Sequence, residues 1–360
     1  MGSLSKYMLA SVYWAVEGLV GTVRALPRAM EVVREASYRP DAKRKAKFRR
    51  LADNVAWCIR NHEANLYYNL YGLDLEGMPV QGDFIAYRRF RNDRRRMNQA
   101  RESDATVILR DKNIFAAFCD FYCLPHPATE GIVEVRGGER TILWRDGKEP
   151  DFPLFVKGRY GECGEGVYRV SDNRSLGSVR LSDGDYLIQE AVRQHPSMCR
   201  VGPGSVNTVR IITVMERESP KLFSAILRCG TSDSGDVDNT SAGGIAVGVD
   251  FRTGKLRGSG VRKPEWGGLV NCHPDTGERF EGFAIPFWEE AVRLALSAQS
   301  KIRTCPTVGW DIAIGESGPL LIEGNDNWEI QTVQALYGGC RSEWKALMEG
   351  RRGGERVLFF

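Results

Sequence analysis

The chain is poor in histidine, with four in 360 residues, and its nine cysteines form no metal-type pairs. Cys119 and Cys123 are four apart, but no second pair or neighbouring histidine completes a zinc site. An odd, scattered set of cysteines fits free thiols in a reducing cytoplasm, not a disulfide framework. Long apolar runs are missing too. Tyr7 to Leu26 is largely apolar, but Glu17 and Arg24 interrupt it, so an amphipathic helix is expected and not a membrane span. No small-residue cleavage site follows closely, which argues against a signal peptide. Also absent are a Gly-Lys-Ser/Thr phosphate loop, a glycine-rich dinucleotide turn, a Ser-His-Asp or reactive-cysteine constellation, internal repeats and low-complexity stretches.

Charge of either sign is nearly balanced, with 50 Lys/Arg against 46 Asp/Glu, but it is unevenly placed. Up to residue 105, 19 Lys/Arg stand against 12 Asp/Glu, and the remainder is slightly acidic. Such a basic third suits a nucleic acid, an anionic membrane surface or an acidic protein. Its densest run, Tyr87 to Arg96, has helical spacing and reads first as a solvated helix face; nucleic-acid binding is not expected.

What is present is a series of polar residues set at the ends of apolar strands. Gly309 to Ile314 and Leu320 to Asn327 flank a Gly-Pro turn and read as a hairpin. Residues two apart on a strand share a face, so Asp311, Glu323 and Asn325 are candidates for one all-oxygen site. Mg²⁺ takes such a site, above all when phosphates complete its shell; the alternative is an ordinary turn with solvated strand ends. Asp111 caps a helix with apolar residues at three and four spacing, and Lys112 falls in its first turn. The strand from Phe152 delivers Lys157, and a loop with Gly158, Gly161, Gly164 and Gly166 precedes a second strand ending at Val170. Glycines let backbone amides face an anion, and a lysine beside them compensates its charge, so a flap over phosphates is one reading and a ligand-free hairpin the other.

Tyr186 to Val192 is a further buried strand, on which Gln189 and Glu190 form a polar pair. Ser205 to Val214 is apolar apart from Asn207 and Arg210, and a buried guanidinium there needs an anionic partner, a carboxylate of the chain or a phosphate. Arg228 ends the next strand in the same way. Residues 250–285 read as a long connection of the lid or binding-loop type, in which His273 is either a substrate contact or a turn residue before Pro274. Phe287 to Arg303 is an amphipathic helix.

In this order the signals resemble the ATP-grasp superfamily over about residues 104–334. The stretches Pro203 to Arg210, Asp238 to Gly244, His273 to Gly277 and Glu323 to Asn325 are most similar to its sugar-transfer-associated branch. The resemblance implies an α+β chain, with two α+β subdomains gripping ATP after a mainly helical N-terminal region. The implied division is 1–105 (helical and basic), 106–190 (subdomain with the flap), 191–345 (subdomain with the metal site) and 346–360 (tail). It also implies that Lys112 and Lys157 hold ATP phosphates and that Gly161, Gly164 and Gly166 belong to the flap. Gln189, Glu190, Ala191 and Val192 would form the hinge strand at the adenine, with Glu190 its polar anchor. Arg210 and Arg228 would contact the γ-phosphate or an acyl phosphate. Asp311, Glu323 and Asn325 would bind two Mg²⁺ ions, with Asn239 in the loop beside them.

The chain departs from relatives of the D-alanine ligase type where they carry an arginine just before the metal aspartate. Gly309 and Trp310 stand there, so the catalytic cation is expected from Arg210 and Arg228. The implied activity is a cytoplasmic carboxylate–amine ligase acting on an amino acid or small acid in a polysaccharide or natural-product pathway. A phosphotransferase on the same fold and a non-catalytic nucleotide-binding module are the competing classes. The expected partners are a small carboxylate and an amine, without a membrane span or nucleic acid; whether the chain forms a homo-oligomer is left open.

Overall fold

The computed structural model describes residues 2–78, 81–99, 105–161, 166–234 and 242–349. Helices come first: α1 (Gly2–Val32), α2 (Lys47–Asn61), α3 (Tyr87–Gln99), α4 (Thr106–Arg110) and α5 (Lys112–Phe121). Asp111 separates the last two, and its carboxylate accepts from the amides of Asn113 and Ile114, satisfying donors that a helix start leaves open.

A first sheet contains β1 (Thr129–Arg136), β2 (Glu139–Trp144), β3 (Leu154–Gly158), β4 (Val167–Val170) and β5 (Gly184–Glu190), with α6 (Asn173–Ser178) between the last two. Its order is β2-β1-β5-β3-β4, every neighbouring pair antiparallel. Val133, Val135, Leu154, Val156, Val170 and Ile188 pack with Leu176 of α6 into its core.

After α7 (Pro196–Cys199) comes a larger sheet: β6 (Thr208–Glu216), β7 (Ser219–Cys229), β8 (Ile245–Val249), β9 (Leu256–Val261) and β10 (Leu269–Val270). Helix α8 (Trp288–Lys301) precedes β11 (Thr307–Gly315) and β12 (Gly318–Asn325), and α9 (Gln331–Tyr337) and α10 (Arg341–Met348) close the described chain. The sheet order is β10-β9-β8-β7-β6-β11-β12. Residues 250–285 are therefore not one irregular connection, because β9 and β10 extend the sheet from within it. Leu256–Val261 carries two glycines that weaken its strand pattern, and Gly260 is where a Cβ would meet the Ile245 side chain at 2.5 Å.

The two faces of the larger sheet do different work. Val209, Ile211, Ala225, Leu227, Trp310 and Ile312 pack with α8 in the main core. Their strand neighbours Ile212, Val214, Ile226 and Phe223 join Phe90 of α3, Trp328, Ile330 and Trp344 in a second core. The Phe90 ring lies 4.8 Å from both Trp328 and Trp344, so the basic helix is docked into the fold by its aromatic face. Phe90→Ala should therefore cost about 3–5 kcal/mol. Urea denaturation of full-length protein measures it, and a loss below about 1 kcal/mol would mean that α3 packs elsewhere.

Candidate active site

Cross-strand register places the charged residues. Asp311 on β11 lies opposite Glu323 on β12 and opposite Arg210 on β6, while Arg228 on β7 is opposite Thr208, two residues from Arg210. All four line one face, since their immediate neighbours Val209, Ile211, Trp310 and Ile312 point into the core below α8. The Arg210 guanidinium donates through Nε and Nη2 to the two Asp311 oxygens, each at 2.6 Å, and Arg228 Nη1 reaches Oδ2 at 3.1 Å. Arg210 is also 3.9 Å from Glu323, and the Asn325 amide donates to Glu323 at 3.2 Å.

Burial would raise both carboxyls, yet they diverge. At Asp311 the Arg210 and Arg228 charges outweigh burial and hold the carboxyl well below the usual range. At Glu323 burial, reinforced by the Asp311 charge, pushes the carboxyl up despite Arg210 and Lys112. The oxygens of Asp311, Glu323 and Asn325 suit a hard cation. Among the described residues no group of three or more His, Cys, Asp or Glu side chains could hold a metal. A metal here would accordingly need oxygens from Asn325 and from a bound ligand.

The facing wall comes from the first sheet. Lys157, next to last in β3, donates to Gln189 Oε1 at 3.0 Å, and is pushed down to about 8 by burial, with Lys112 adding to the drop and Glu323 opposing it. Lys112 donates to the Gly161 carbonyl. Gly166 takes a φ of +70°, and its carbonyl accepts from the Gly158 amide at 3.0 Å, closing the base of the glycine loop. Gly164 and Asn239 lie outside the described residues. Glu190, Ala191 and Val192 line the cleft. Gln189 pairs with Phe155 and so shares the face of Lys157, whose amine it holds, while the Glu190 carboxylate accepts from the Ala128 amide at 3.0 Å. Between the walls is a cavity of about 1110 Å³, lined by Lys112, Lys157, Arg210, Arg228, Asp311, Glu323 and Asn325 among others.

His273 is not brought to this cluster. It is fully buried, with Nε2 2.8 Å from the Gly230 carbonyl and Nδ1 accepting from the Asp275 amide. As a turn residue it pins the backbone two positions beyond Arg228.

Three polar residues that the sequence reading passed over support the metal-side strand. Arg94 of α3, 4% exposed, donates to the Trp328 carbonyl and to Asn327 Oδ1. Asn98 bridges the Asp326 and Thr307 carbonyls at 3.0 Å each. Arg110 grips Asp326 through two bonds of 3.0 and 2.7 Å. The available signal was spacing: Phe90, Arg94 and Asn98 recur every fourth residue, which sets the latter two on the buried face of α3. Glycines complete the support. A Cβ on Gly324, between the two ligand candidates of β12, would meet Leu109 at 2.7 Å and Trp310 at 2.9 Å. One on Gly309 would meet Trp328 at 2.9 Å, so no arginine fits there.

Residues 174–343 match the model of the family described as sugar-transfer associated ATP-grasp. The match to this sugar-transfer associated ATP-grasp model takes in a little under half of the chain. It holds Arg210, Arg228, Asp311, Glu323 and Asn325, and the whole of the larger sheet. The fold is α+β and of the ATP-grasp type, with a helical N-terminal region. No curated protein matches the chain.

Similar solved structures include N5-carboxyaminoimidazole ribonucleotide synthetase from Thermotoga maritima, at 14% identity and a TM-score of 0.40, covering 71% of this chain and 53% of that one. The corresponding synthase from Aspergillus clavatus, solved with ADP and 5-aminoimidazole ribonucleotide, has 13% identity and a TM-score of 0.43, covering 71% and 55%. D-alanine–D-alanine ligase from Bacillus anthracis, complexed with ATP, has 14% identity and a TM-score of 0.39, covering 68% and 66%. The chain thus spans about half the length of the first of these structures.

Removing one member of a buried ion pair strands the other, at about 3–5 kcal/mol. Arg210→Met should approach that cost, eased by Arg228, and Arg210→Met combined with Asp311→Leu should recover most of it. A double-mutant cycle by urea unfolding tests this, and additive losses would show that the two charges are not coupled.

Proposed function

We propose that the protein is an ATP- and Mg²⁺-dependent carboxylate–amine ligase, working through an acyl phosphate on an amino acid or other small acid. The observation behind this is the convergence on one cleft of Lys112 from the start of α5 and Lys157 from the first sheet, and of Arg210, Arg228, Asp311, Glu323 and Asn325 from the larger sheet. Such a site has cations for a polyphosphate and oxygens for a hard metal, with no Ser-His-Asp or Cys-His arrangement among these residues. Chemistry that needs positioning and charge neutralisation, without a protein nucleophile, suits it.

The two lysines would take the nucleotide phosphates, and Glu190 to Val192 would bound the base. A carboxylate oxygen of the substrate attacks the γ-phosphorus, the bond to the ADP oxygen breaks, and ADP leaves. An amine nitrogen then attacks the acyl carbon, phosphate departs, and the nitrogen loses a proton to form the amide. Arg210 and Arg228 would share their donors between Asp311 and the transferring phosphoryl oxygens. Mg²⁺ held by Asp311, Glu323 and Asn325 would supply further charge neutralisation on the phosphates. Gly161 and Gly166 bound the loop that would cover the phosphates and keep water from the acyl phosphate.

Hydroxylamine trapping with ATP, Mg²⁺ and a panel of amino acids and sugar acids should give a hydroxamate with one class of acid. Glu323→Gln should reduce the yield by about 10²-fold or more. If ADP forms with a hydroxyl acceptor and no acid gives a hydroxamate, the enzyme is a phosphotransferase on the same fold and the ligase reading is wrong.

A further inference from the structure

The first two helices take no part in the cleft, yet they carry an apolar face that no described residue covers. Helices α1 and α2 pack antiparallel through small residues. Gly18, Ala25 and Ala29 lie along the seam, where Thr22 Oγ1 bonds the Cys58 carbonyl at 3.3 Å and, at the other end, Arg50 bonds the Val33 carbonyl at 2.7 Å. Asn54 and Trp57 of α2 and Val32 of α1 turn inward.

On α1, Leu19, Val23, Leu26 and Met30 follow at four, three and four spacing and form one stripe beside that inward face. Leu26 sits at the seam against the Ala25, Ala29 and Cys58 cluster, while Leu19, Val23 and Met30 are 65%, 58% and 48% exposed. On α2, Phe48, Leu51, Val55 and Ile59 form the matching stripe, with Phe48 and Ile59 70% and 62% exposed. Since Leu26 and Cys58 meet at the seam, the two stripes adjoin on the outer side of the pair.

Cations border this face. Lys47 and Arg49 stand exposed beside Phe48, and Arg60 beside Ile59. Lys43, Arg44 and Lys45 just before them pair with Glu76, Asp74 and Asp53 and are not counted with this border. The region up to residue 105 has seven more Lys/Arg than Asp/Glu. No helix among the described residues is long and apolar enough to cross a membrane.

We propose that the outer face of the α1–α2 pair docks onto an anionic lipid bilayer surface. An apolar ridge flanked by lysine and arginine is the layout of a helix that lies in the headgroup region, where each side chain meets its complement. Neither stripe contains a hydrogen-bonding side chain that would specify a protein partner. A twofold contact between copies would set Lys47, Arg49 and Arg60 near their own counterparts, which like-charge repulsion opposes. The surface is independent of the cleft and of the reaction proposed for it.

Full-length protein should co-sediment with vesicles of phosphatidylcholine containing roughly one-third phosphatidylglycerol, should do so less as salt rises, and should leave pure phosphatidylcholine vesicles unbound. Phe48→Asp with Ile59→Asp should weaken vesicle binding by about a hundredfold, with the thermal unfolding midpoint unchanged because both side chains are exposed. Lys47→Glu with Arg49→Glu, which leaves the apolar stripes intact, should weaken it as well. The proposal is overturned if anionic vesicles do not retain the wild-type protein, or if either double variant binds them as well as wild type. A lipid-free dimer in sedimentation velocity that the aspartates dissociate would assign the face to a second copy and overturn it too.

Discussion

The ion pair between Arg210 and Asp311 is the constraint on which the rest of the site depends. Two opposite charges sit directly across from each other on neighbouring central strands, where water is largely excluded and leaving either charge unpaired would be costly. The same register that opposes them also sends Val209, Ile211, Trp310 and Ile312 into the core beneath α8. A one-residue slip of β6 against β11 would drive the arginine into that core and turn the apolar side chains to the cleft. Core packing and site assembly therefore select one register, and the pair is held by the hydrophobic energy of the opposite face. Arg228 enters through the next strand, and Glu323 through the hairpin that ends in Asn325.

Much of this was legible because it follows from alternation. Two acids and an amide on a hairpin, and lone arginines in apolar strands, are conspicuous in sequence since a strand has only two faces. Whether Arg210 met a carboxylate or a phosphate was not legible, because that depends on which strand lies beside β6, a long-range pairing; the structure gives Asp311. The same limit applies to Gln189 and Glu190. Adjacent on one strand, they must face opposite ways, and only the tertiary arrangement shows that Gln189 shares the face of Lys157 and holds its amine while the Glu190 carboxylate accepts from the Ala128 amide. His273 looked equally suited to a ligand or a turn, and its complete burial decides its local role as a turn residue. The strand at Leu256–Val261 was hidden by its two glycines, of which Gly260 is required by the close approach of Ile245.

The basic run Tyr87 to Arg96 shows why charge counting misleads. As a composition it suggests a solvated face. As a helix it has an inward stripe, Phe90, Arg94 and Asn98, whose polar members satisfy backbone carbonyls of the loop after Asn325. Those carbonyls lie where β12 has ended and its ladder no longer supplies donors, so an arginine and an asparagine from another element replace it. Burying them is favourable only because each finds its acceptors. Helix α3 is thus part of the scaffold of the site, although it lies outside the matched family region.

The same helical region handles its apolar surface in two opposite ways, and the contrast separates two roles. Phe90 of α3 is wholly buried among Trp328 and Trp344, so the apolar surface of that helix contributes to folding. On α1 and α2 the seam is closed mainly by small residues, Gly18, Ala25, Ala29 and Cys58 with Leu26 at its edge, while Leu19, Val23, Met30, Phe48 and Ile59 are turned outward. A pair selected for stability alone would place its large side chains in the seam and its small ones outside, since burial favours the larger surface. The inverted arrangement leaves the helices held by close backbone approach and keeps the large apolar side chains, bordered on α2 by Lys47, Arg49 and Arg60, free for an external surface.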